Sequence, residues 1–409
     1  MSVPFKTAAL MKELMARYYA RGEECRRQGI PVAWVTAVFP VEIIYGMDLF
    51  PYYPENFGAV ASARKIADKL SVAAERQGYF PDLCGYARCG IGDAYAVDHP
   101  AGNILPPDLL LCSNTQCGSL PKWFQAAGRF YNKPYFLWDA PFLESEVSDL
   151  SQNYLLQQLH ELIDFLEVTT KRRLDFDRLR EAVALSGEAC RLWNDCLEMA
   201  ALEPAPFGFF DACFHMAPIV TMRGTQAAVD YYRQLKAEIK ERWAKKIYAI
   251  PNERYKVYFD HIPVWPRLRW FADLFAAHDT LVVASQYTHA WAMNFDPARP
   301  LETLAEQYPR QFVNRGFDYR IKLKIEFMTR YHCDGFVLFS NRSCKPNAFG
   351  LYDKNKVLTE LTGLPGVVFE GDMSDLRFFP EPQVQTLLEI FFERLGSSRA
   401  ISASALKKK

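Results

Sequence analysis

The sequence predicts an α/β protein with two doubly wound, mostly parallel domains joined by a helical region. Two observations carry this prediction. Short apolar runs followed by amphipathic segments occur in two separate blocks, a pattern typical of βαβ units and a parallel sheet. The chain also has 409 residues, half of them hydrophobic, which is more than one core accommodates. We therefore expect two or three domains, each with its own core.

The first block predicts three buried strands separated by helices. Pro54 opens the longer helix, since proline fits the first turn of a helix. These elements define a first α/β domain at 31–146, preceded by a helical segment at 1–30. The predicted strands lie at 32–38, 108–112 and 134–138, and the predicted helices at 56–77 and 120–130.

The second block follows a region of helical periodicity at 147–250, where Leu155, Leu159 and Leu162 mark one apolar stripe. Strand-like runs then return and predict a second α/β domain at 251–397. The last segment, 398–409, is small, polar and basic, so we expect a flexible tail. The strands of the second domain are predicted at 255–259, 280–284, 335–339 and 366–369.

Composition excludes several function classes. The 48 basic and 48 acidic residues cancel, so no overall field favours nucleic acid or an anionic membrane. The N-terminus has no apolar signal segment, and no run of about 18 apolar residues occurs, so we expect a cytoplasmic protein without a membrane partner. Ten cysteines in the reducing cytoplasm do not suggest disulfides, and they direct attention to metal binding.

Three cysteines, Cys84, Cys117 and Cys344, lie in polar loops near predicted strand ends. Ligands of open α/β sheets bind outside the carboxyl ends of strands, so these thiols can meet in one cleft between the domains. Three converging thiolates suit an iron–sulfur cluster with one open iron. We expect the thiolates to be favoured by helix N-termini and by the nearby cations Arg88, Arg342 and Lys345, because both stabilise negative charge. The alternative is three inert buried thiols.

Further cysteines leave the ligand set open. The sequence lacks the paired Cys-x-x-Cys motifs of structural zinc and the compact cysteine run of ferredoxins. Cys89, Cys112 and Cys333 are additional candidate ligands, either in reserve or for a second cluster. Four other cysteines fall in helical patterns and are expected in the core: Cys25, Cys190, Cys196 and Cys213.

Several local motifs together resemble the 2-hydroxyacyl-CoA dehydratase and benzoyl-CoA reductase family. The resemblance covers residues from about 31 to about 397, and the cysteine motifs combine order, spacing and flanking residues. The motifs are FPVEIIYG at 39–46, YPEN at 53–56, GYFPDLCGYAR at 78–88, KWF at 122–124 and NRSCKP at 341–346.

The resemblance implies two Rossmann-like domains and a 4Fe-4S cluster in the interdomain cleft, with Cys84, Cys117 and Cys344 as its ligands. It also implies an acyl-CoA substrate, a paralogous subunit or second copy of the chain, and a separate ATP-dependent iron–sulfur activator. The chain contains neither the P-loop nor the Rossmann glycine motif, so we expect no nucleotide bound by this chain itself.

Four interpretations of the function follow from the resemblance. The first is an oxidoreductase, a benzoyl-CoA reductase core subunit that dearomatises its substrate. The segments around Lys122 and Ser285 resemble such a subunit more than a dehydratase subunit. The second is a lyase, a 2-hydroxyacyl-CoA dehydratase subunit that acts through a ketyl radical. The third is a double-cubane reductase that uses the extra cysteines. The fourth is a non-catalytic electron-transfer subunit.

Other polar residues have both a functional and a structural interpretation. Glu55 and Asn56 either orient a loop near the cluster or cap the helix that follows. His261 and His289 either donate protons during reduction or lie in the core. The charged residues Arg88, Lys122, Arg342 and Lys345 either bind CoA phosphates or the activator, or are solvated.

Overall fold

The computed structural model describes residues 4–96, 98–99, 102–144 and 146–406 and contains two parallel four-stranded sheets. The first sheet has strands β1 (Val32–Val35), β2 (Phe50–Tyr52), β3 (Leu109–Ser113) and β4 (Tyr135–Trp138). The second has β5 (Tyr255–Asp260), β6 (Thr280–Ala284), β7 (Gly335–Asn341) and β8 (Gly366–Gly371). The α/β class and the parallel sheets are thus confirmed.

Helices cover both sheets and fill the segment between them. Beside the first sheet are α1 (Thr7–Arg27), α2 (Val41–Gly46), α3 (Pro54–Ala63), α4 (Ala67–Glu75), α5 (Gly85–Tyr95) and α6 (Ser119–Tyr131). The connecting helices are α7 (Asp149–Thr170), α8 (Phe176–Glu198), α9 (Phe209–His215), α10 (Ala217–Thr221) and α11 (Gln226–Ala244). The second sheet carries α12 (Leu268–Ala277), α13 (Gln286–His289), α14 (Pro300–Gln307), α15 (Phe317–Arg330), α16 (Lys345–Ala348), α17 (Leu351–Thr362) and α18 (Glu381–Leu406).

The two sheets have the same strand order. The first runs β2-β1-β3-β4 and the second runs β6-β5-β7-β8, with every neighbouring pair parallel. In each sheet the order reverses beside the first strand, so a topological switch point lies between β1 and β3 and between β5 and β7. Ligands bind outside the carboxyl ends of the strands at such points. The fold therefore offers two equivalent binding edges.

The sheets meet at these edges through close contacts of α5. Gly85 begins α5, and a Cβ atom there would lie 2.8 Å from the Ser374 side chain, so only glycine allows this approach. Tyr86 OH accepts a hydrogen bond from Trp265 Nε1. The buried Arg88 side chain forms ion pairs with Asp375 at 2.9 Å and Asp372 at 3.5 Å. The start of α5 thus joins the first half of the chain to the second.

Several elements differ from the sequence predictions. The helix expected at 56–77 is two helices, α3 and α4, because Lys65 takes a left-handed conformation with φ 60°. The short strand β2 was not predicted because it contains Pro51, which only an edge strand tolerates. Helix α5 was missed as well, since its three glycines lower helix propensity while packing stabilises it.

The C-terminal helix α18 extends to Leu406, into the segment for which a flexible tail was expected. Residues 407–409 of that tail lie outside the described residues. Among the residues that the structure describes, no helix combines the length and apolar character needed to span a bilayer.

Candidate functional site

The three predicted cysteines occupy corresponding positions at the carboxyl edges of the two sheets. Cys117 follows β3, and Cys344 follows β7, the equivalent strand of the second sheet. Cys84 is the N-cap residue of α5, and Cys344 is the N-cap residue of α16. Cys117 lies two residues before α6. Each thiol therefore faces the free N–H groups of a helical turn.

Exposure separates these three cysteines from the rest. All ten cysteines are unpaired thiols, and Cys84, Cys117 and Cys344 are only partly buried. The other seven are fully buried. Cys84 interacts electrostatically with Cys117 and with Cys344, and Cys344 interacts with Cys117 as well. The structure thus brings together the predicted set and leaves its members accessible.

The expectation that the surroundings favour the thiolates is wrong, because the pKa of each of the three thiols is raised. Burial raises the pKa of Cys84 well above its ordinary value, and the neighbouring thiols add to the rise. Burial raises the pKa of Cys344 to about 12. Arg88 and Arg342 do not offset this, because Arg88 pairs with carboxylates and Arg342 pairs with Asp82. Desolvation therefore outweighs the helix N-termini.

The additional candidate ligands have other surroundings. Cys89 lies in α5 and is fully buried, beside Ser62. Cys112 lies within β3, also fully buried, and interacts with Tyr135. Cys333 is buried in a separate core of the second sheet, beside Asp334 and Lys256. The structure does not bring these three thiols together as a second set.

Three unpartnered buried donors belong to the segment around Cys344 and to the residue that packs on Gly85. Asn341 Nδ2, Asn347 Nδ2 and Ser374 Oγ are buried without a hydrogen-bond partner among the described residues. The Asn347 N–H faces the Cys344 sulfur, and the Cys344 N–H donates to the Asn341 carbonyl at 3.0 Å. Buried donors normally have acceptors. An acceptor of several lone pairs, such as an iron-bound sulfide, would satisfy them.

Three cysteines with neighbouring N–H groups are the donor set that a 4Fe-4S cluster would use. Within the described ranges, no group of three or more His, Cys, Asp or Glu side chains is arranged around one metal ion. Three accessible, reduced thiols with nearby N–H donors match a cluster that leaves one iron open.

A largely apolar cavity of about 640 Å³ adjoins the cysteine loops. Tyr86, two residues after Cys84, and Gln116, directly before Cys117, form part of its wall. Helix α1 contributes a further wall. The rest of the lining is mostly apolar and aromatic, from Met11, Met15, Tyr19, Ala59, Val60, Phe214, Met216, Val220, Ile262, Trp265, Leu268, Tyr287 and Trp291. The cavity is thus lined by residues that neighbour Cys84 and Cys117 in the chain.

Glu55 is the acidic residue in the lining of this cavity. It does not cap α3, because its side chain accepts hydrogen bonds from the Ala37 N–H at 2.5 Å and from Gln116 Nε2 at 3.1 Å. Burial raises the pKa of Glu55 to about 7. The capping role considered for Glu55 is therefore wrong. A carboxyl with this pKa can give or take a proton near neutral pH.

Asn56 does not cap α3 either. Its side-chain Nδ2 donates to Tyr19 OH at 2.7 Å. Both Asn56 and Tyr19 line the cavity, so this hydrogen bond joins α1 to α3 across its wall. Asn56 therefore helps to shape the cavity.

The two candidate histidines have different positions. His289 is bonded on both ring nitrogens, to the Ser285 carbonyl and to Tyr331 OH, each at 2.8 Å, and does not line the cavity. His261 is buried with φ 102°, and its Nδ1 accepts from the Ile262 N–H at 2.6 Å. Burial lowers the pKa of His261 to about 3 and that of His289 to about 4. Both rings are therefore neutral at pH 7.

The remaining charged candidates lie outside the cavity. Lys122 and Lys345 are exposed, whereas Arg88 is fully buried in ion pairs. Lys12 and Arg64, which the sequence did not single out, are exposed and line the cavity between α1 and α3. No motif marked them, because the N-terminal helix was not expected to reach the site.

The fold and the site define a class: an α/β protein whose two equivalent sheet edges bring three thiols together beside an apolar cavity. The chain belongs to the family described as 2-hydroxyglutaryl-CoA dehydratase, D-component, whose model matches residues 36–395. The resemblance inferred from the motifs is therefore confirmed.

Three similar proteins illustrate the range of the family. The (R)-2-hydroxyisocaproyl-CoA dehydratase alpha subunit of Clostridioides difficile is 32% identical over 98% of this chain and 99% of that protein. The (R)-phenyllactyl-CoA dehydratase alpha subunit of Clostridium sporogenes is 30% identical over 93% and 95%. A benzoyl-CoA reductase subunit of Thauera aromatica is 29% identical over 95% and 94%. These similarities support the dehydratase alternative better than the reductase interpretation placed first.

Proposed function

We propose that the chain is the iron–sulfur subunit of a 2-hydroxyacyl-CoA dehydratase, a lyase that removes water from its substrate. The observation that carries this proposal is the apolar cavity that reaches the loops of Cys84 and Cys117 and contains the carboxyl of Glu55. A pure electron-transfer subunit would need no such cavity. The space beside the thiols therefore favours a direct catalytic role.

Cys84, Cys117 and Cys344 would hold a 4Fe-4S cluster. When bound, that cluster supplies one low-potential electron to the thioester carbonyl. The protein contributes the exclusion of water, since the aromatic side chains of Trp265 and Tyr287 form part of the cavity wall. It also supplies an N–H donor to a ligand sulfur, from the Asn347 backbone to Cys344, which would tune a cluster held there.

Glu55 is proposed as the acid that assists departure of the hydroxyl group as water. Its pKa of about 7 leaves a large protonated fraction at neutral pH. The Ala37 N–H and the Gln116 amide hold both carboxyl oxygens in place. A fixed, protonated carboxyl can donate to a hydroxyl group on the carbon beside the thioester, and the resulting carboxylate can accept the next proton.

The lining favours an acyl group without a second charge. Apart from Glu55, the inner wall consists of apolar and aromatic side chains with a few polar amides and hydroxyls. A second carboxylate on the acyl chain would be buried there without a cation. Lys12 and Arg64 are exposed where α1 and α3 border the cavity, a suitable place for the phosphates of CoA.

We propose two protein partners: a paralogous subunit and an ATP-dependent activator. The first is supported by the names of the similar proteins, each of which is a single component of an enzyme with several subunits. The second is supported by the need for an electron of low potential, which ATP hydrolysis can drive. This chain has neither the P-loop nor the Rossmann glycine motif, so the proposed ATP site lies on a separate protein.

The test is an anaerobic assay of the complex with its activator, ATP and a limiting reductant. Dehydration is redox-neutral, so one electron should support many turnovers of 2-hydroxyisocaproyl-CoA to the enoyl product. Reduction of benzoyl-CoA consumes two electrons per product. An amount of product far above the supplied electrons supports the dehydratase. Strict two-electron stoichiometry with benzoyl-CoA supports the second candidate, the reductase, to a subunit of which this chain is 29% identical.

A further inference from the structure

A group of buried cations lies behind Cys344. Arg320, Lys324 and Lys354 are all buried, with Lys324 and Lys354 fully so. Lys324 Nζ pairs with Asp260 Oδ1 at 3.0 Å. Buried cations normally have an anionic partner, because removing them from water is costly. Desolvation lowers the pKa of Lys324 to about 8 and that of Lys354 to about 7, so a further anion beside them would help to keep both lysines charged.

Two of these cations hold the segment that follows Cys344. Arg320 donates to the Pro346 carbonyl at 3.1 Å and to the Asn347 side-chain oxygen. Lys354 Nζ donates to the Asn347 carbonyl at 2.8 Å. Both cations thus bind the first turn of α16, whose N-cap residue is Cys344. Movement of either side chain would displace the Cys344 loop.

Neither Arg320 nor Lys354 has a carboxylate of its own. Within the residues that the structure describes, the ion pairs of this group consist of Lys324 with Asp260 alone. Arg320 Nε is also buried without a hydrogen-bond partner. Both Arg320 and Lys354 interact electrostatically with Cys344. Asp260 is the carboxylate that acts on both side chains, and Cys344, with whatever it binds, is a further neighbour of both that can carry negative charge.

We propose that Arg320 and Lys354 are positioning residues that offset the negative charge of a cluster held by Cys344 and thereby raise its reduction potential. The inference rests on the proposed function, which places a cluster there. A cluster held by thiolates is anionic, and reduction adds one more negative charge. Buried cations stabilise the reduced state more than the oxidised state, because the Coulomb energy grows with the charge.

The test is an anaerobic redox titration of the cluster-loaded chain. A low-potential viologen dye sets the potential, and the cluster's absorbance reports the ratio of reduced to oxidised cluster. Lys354→Met should lower the ratio of reduced to oxidised cluster about tenfold at a fixed dye potential, which is about 59 mV for one electron. Lys354→Arg keeps the charge and should stay close to the wild-type ratio. Iron per chain is measured in parallel.

Lys256→Met is the matched control. Lys256 is a buried lysine of the same sheet, but it binds the carbonyls of Ala201 and Leu202 at 3.1 and 2.8 Å. It lies near the start of β5, away from the carboxyl edge, so its loss should leave the ratio unchanged.

Each outcome decides the proposal. An unchanged ratio in iron-loaded Lys354→Met overturns it, as does an equal fall in Lys354→Arg and Lys354→Met. If Lys354→Met loses iron, retention by Lys354→Arg supports the charge role, and loss in both overturns it. A wild-type chain that binds no iron contradicts the proposed function itself and so removes the basis of this inference.

Discussion

The two sheets share one strand order, yet they balance buried charge differently at their carboxyl edges. Near the first sheet, Arg88 pairs with three carboxylates: Glu75 at 3.1 Å, Asp375 at 2.9 Å and Asp372 at 3.5 Å. Near the second sheet, three buried cations share Asp260.

The difference separates a structural cluster from a functional one. The Arg88 group joins the two halves of the chain and is complete in itself, since its carboxylates come from both halves. The group around Asp260 has an excess of positive charge and lies against a cysteine loop. Equivalent topology therefore allows different charge arrangements, and the incomplete one lies where we propose that an anionic cluster binds.

The largest expected effect comes from removing Arg88 from its group of ion pairs. Arg88→Met should lower the free energy of unfolding by about 3–5 kcal/mol, because it leaves buried carboxylates without their cation. Urea denaturation of the wild type and variant measures this difference. A loss below about 1 kcal/mol would show that the Arg88 group does not hold the halves together and would remove the distinction between the two edges.

The next effect concerns Glu55, which has no ion pair in the part of the chain that the structure describes. Burial raises its pKa from 4.5 to about 7, so the folded protein holds this proton more tightly than the unfolded chain. Stability is therefore full below about pH 4.5 and falls by about 3 kcal/mol as the pH rises through 7.

Glu55→Gln should abolish this fall and should match the wild type near pH 4.5. Urea denaturation between pH 4.5 and 8 checks it. Parallel stability curves of the two proteins would contradict the assignment of a neutral carboxyl to the cavity.

A smaller effect of opposite sign is expected for Asp260. Burial opposes its ionisation, yet Lys324, Lys354 and Arg320 lower the pKa of Asp260 to about 2. Ionised Asp260 thus stabilises the fold above pH 4, and about 2 kcal/mol is lost as the pH falls toward 2. Asp260→Asn should lack this acid-dependent component in denaturation curves between pH 5 and 2.5. An acid-dependent loss of the same size in the variant would show that a group other than Asp260 causes it.

The smallest effect is expected for Arg342, which joins the halves as Arg88 does but at a partly exposed site. It pairs with Asp82, and its guanidinium lies 3.8 Å from the ring centroid of Phe378. Arg342→Ala should cost less than about 1 kcal/mol, since exposed ion pairs contribute little. A loss equal to that of Arg88→Met would show that burial does not determine the strength of these contacts.

The fold was largely predictable because buried parallel strands leave a clear apolar signal. Seven of the eight strands matched a predicted run, and β2 was hidden by Pro51. Helix α5 was hidden by glycines that permit close packing against Ser374. Such features depend on contacts between distant segments, which local sequence patterns do not contain.

The site was predictable only in part. The cysteines stood out because polar loops after strands are unusual places for thiols. The cavity was not foreseen, because α1 reaches it from the other end of the first domain. The buried cations escaped notice as well, since Arg320 and Lys324 are four residues apart on α15 and resemble an ordinary solvated helix face.

The most direct test of the account is the iron content of single cysteine variants purified without oxygen. Cys84→Ser, Cys117→Ser and Cys344→Ser should each lose the cluster, while the buried controls Cys89→Ser and Cys112→Ser should keep about four iron atoms per chain. Full iron in all three of the first variants would contradict a single cluster held by the three accessible thiols. About eight iron atoms per wild-type chain, with a lower iron content in Cys89→Ser or Cys112→Ser, would contradict it as well.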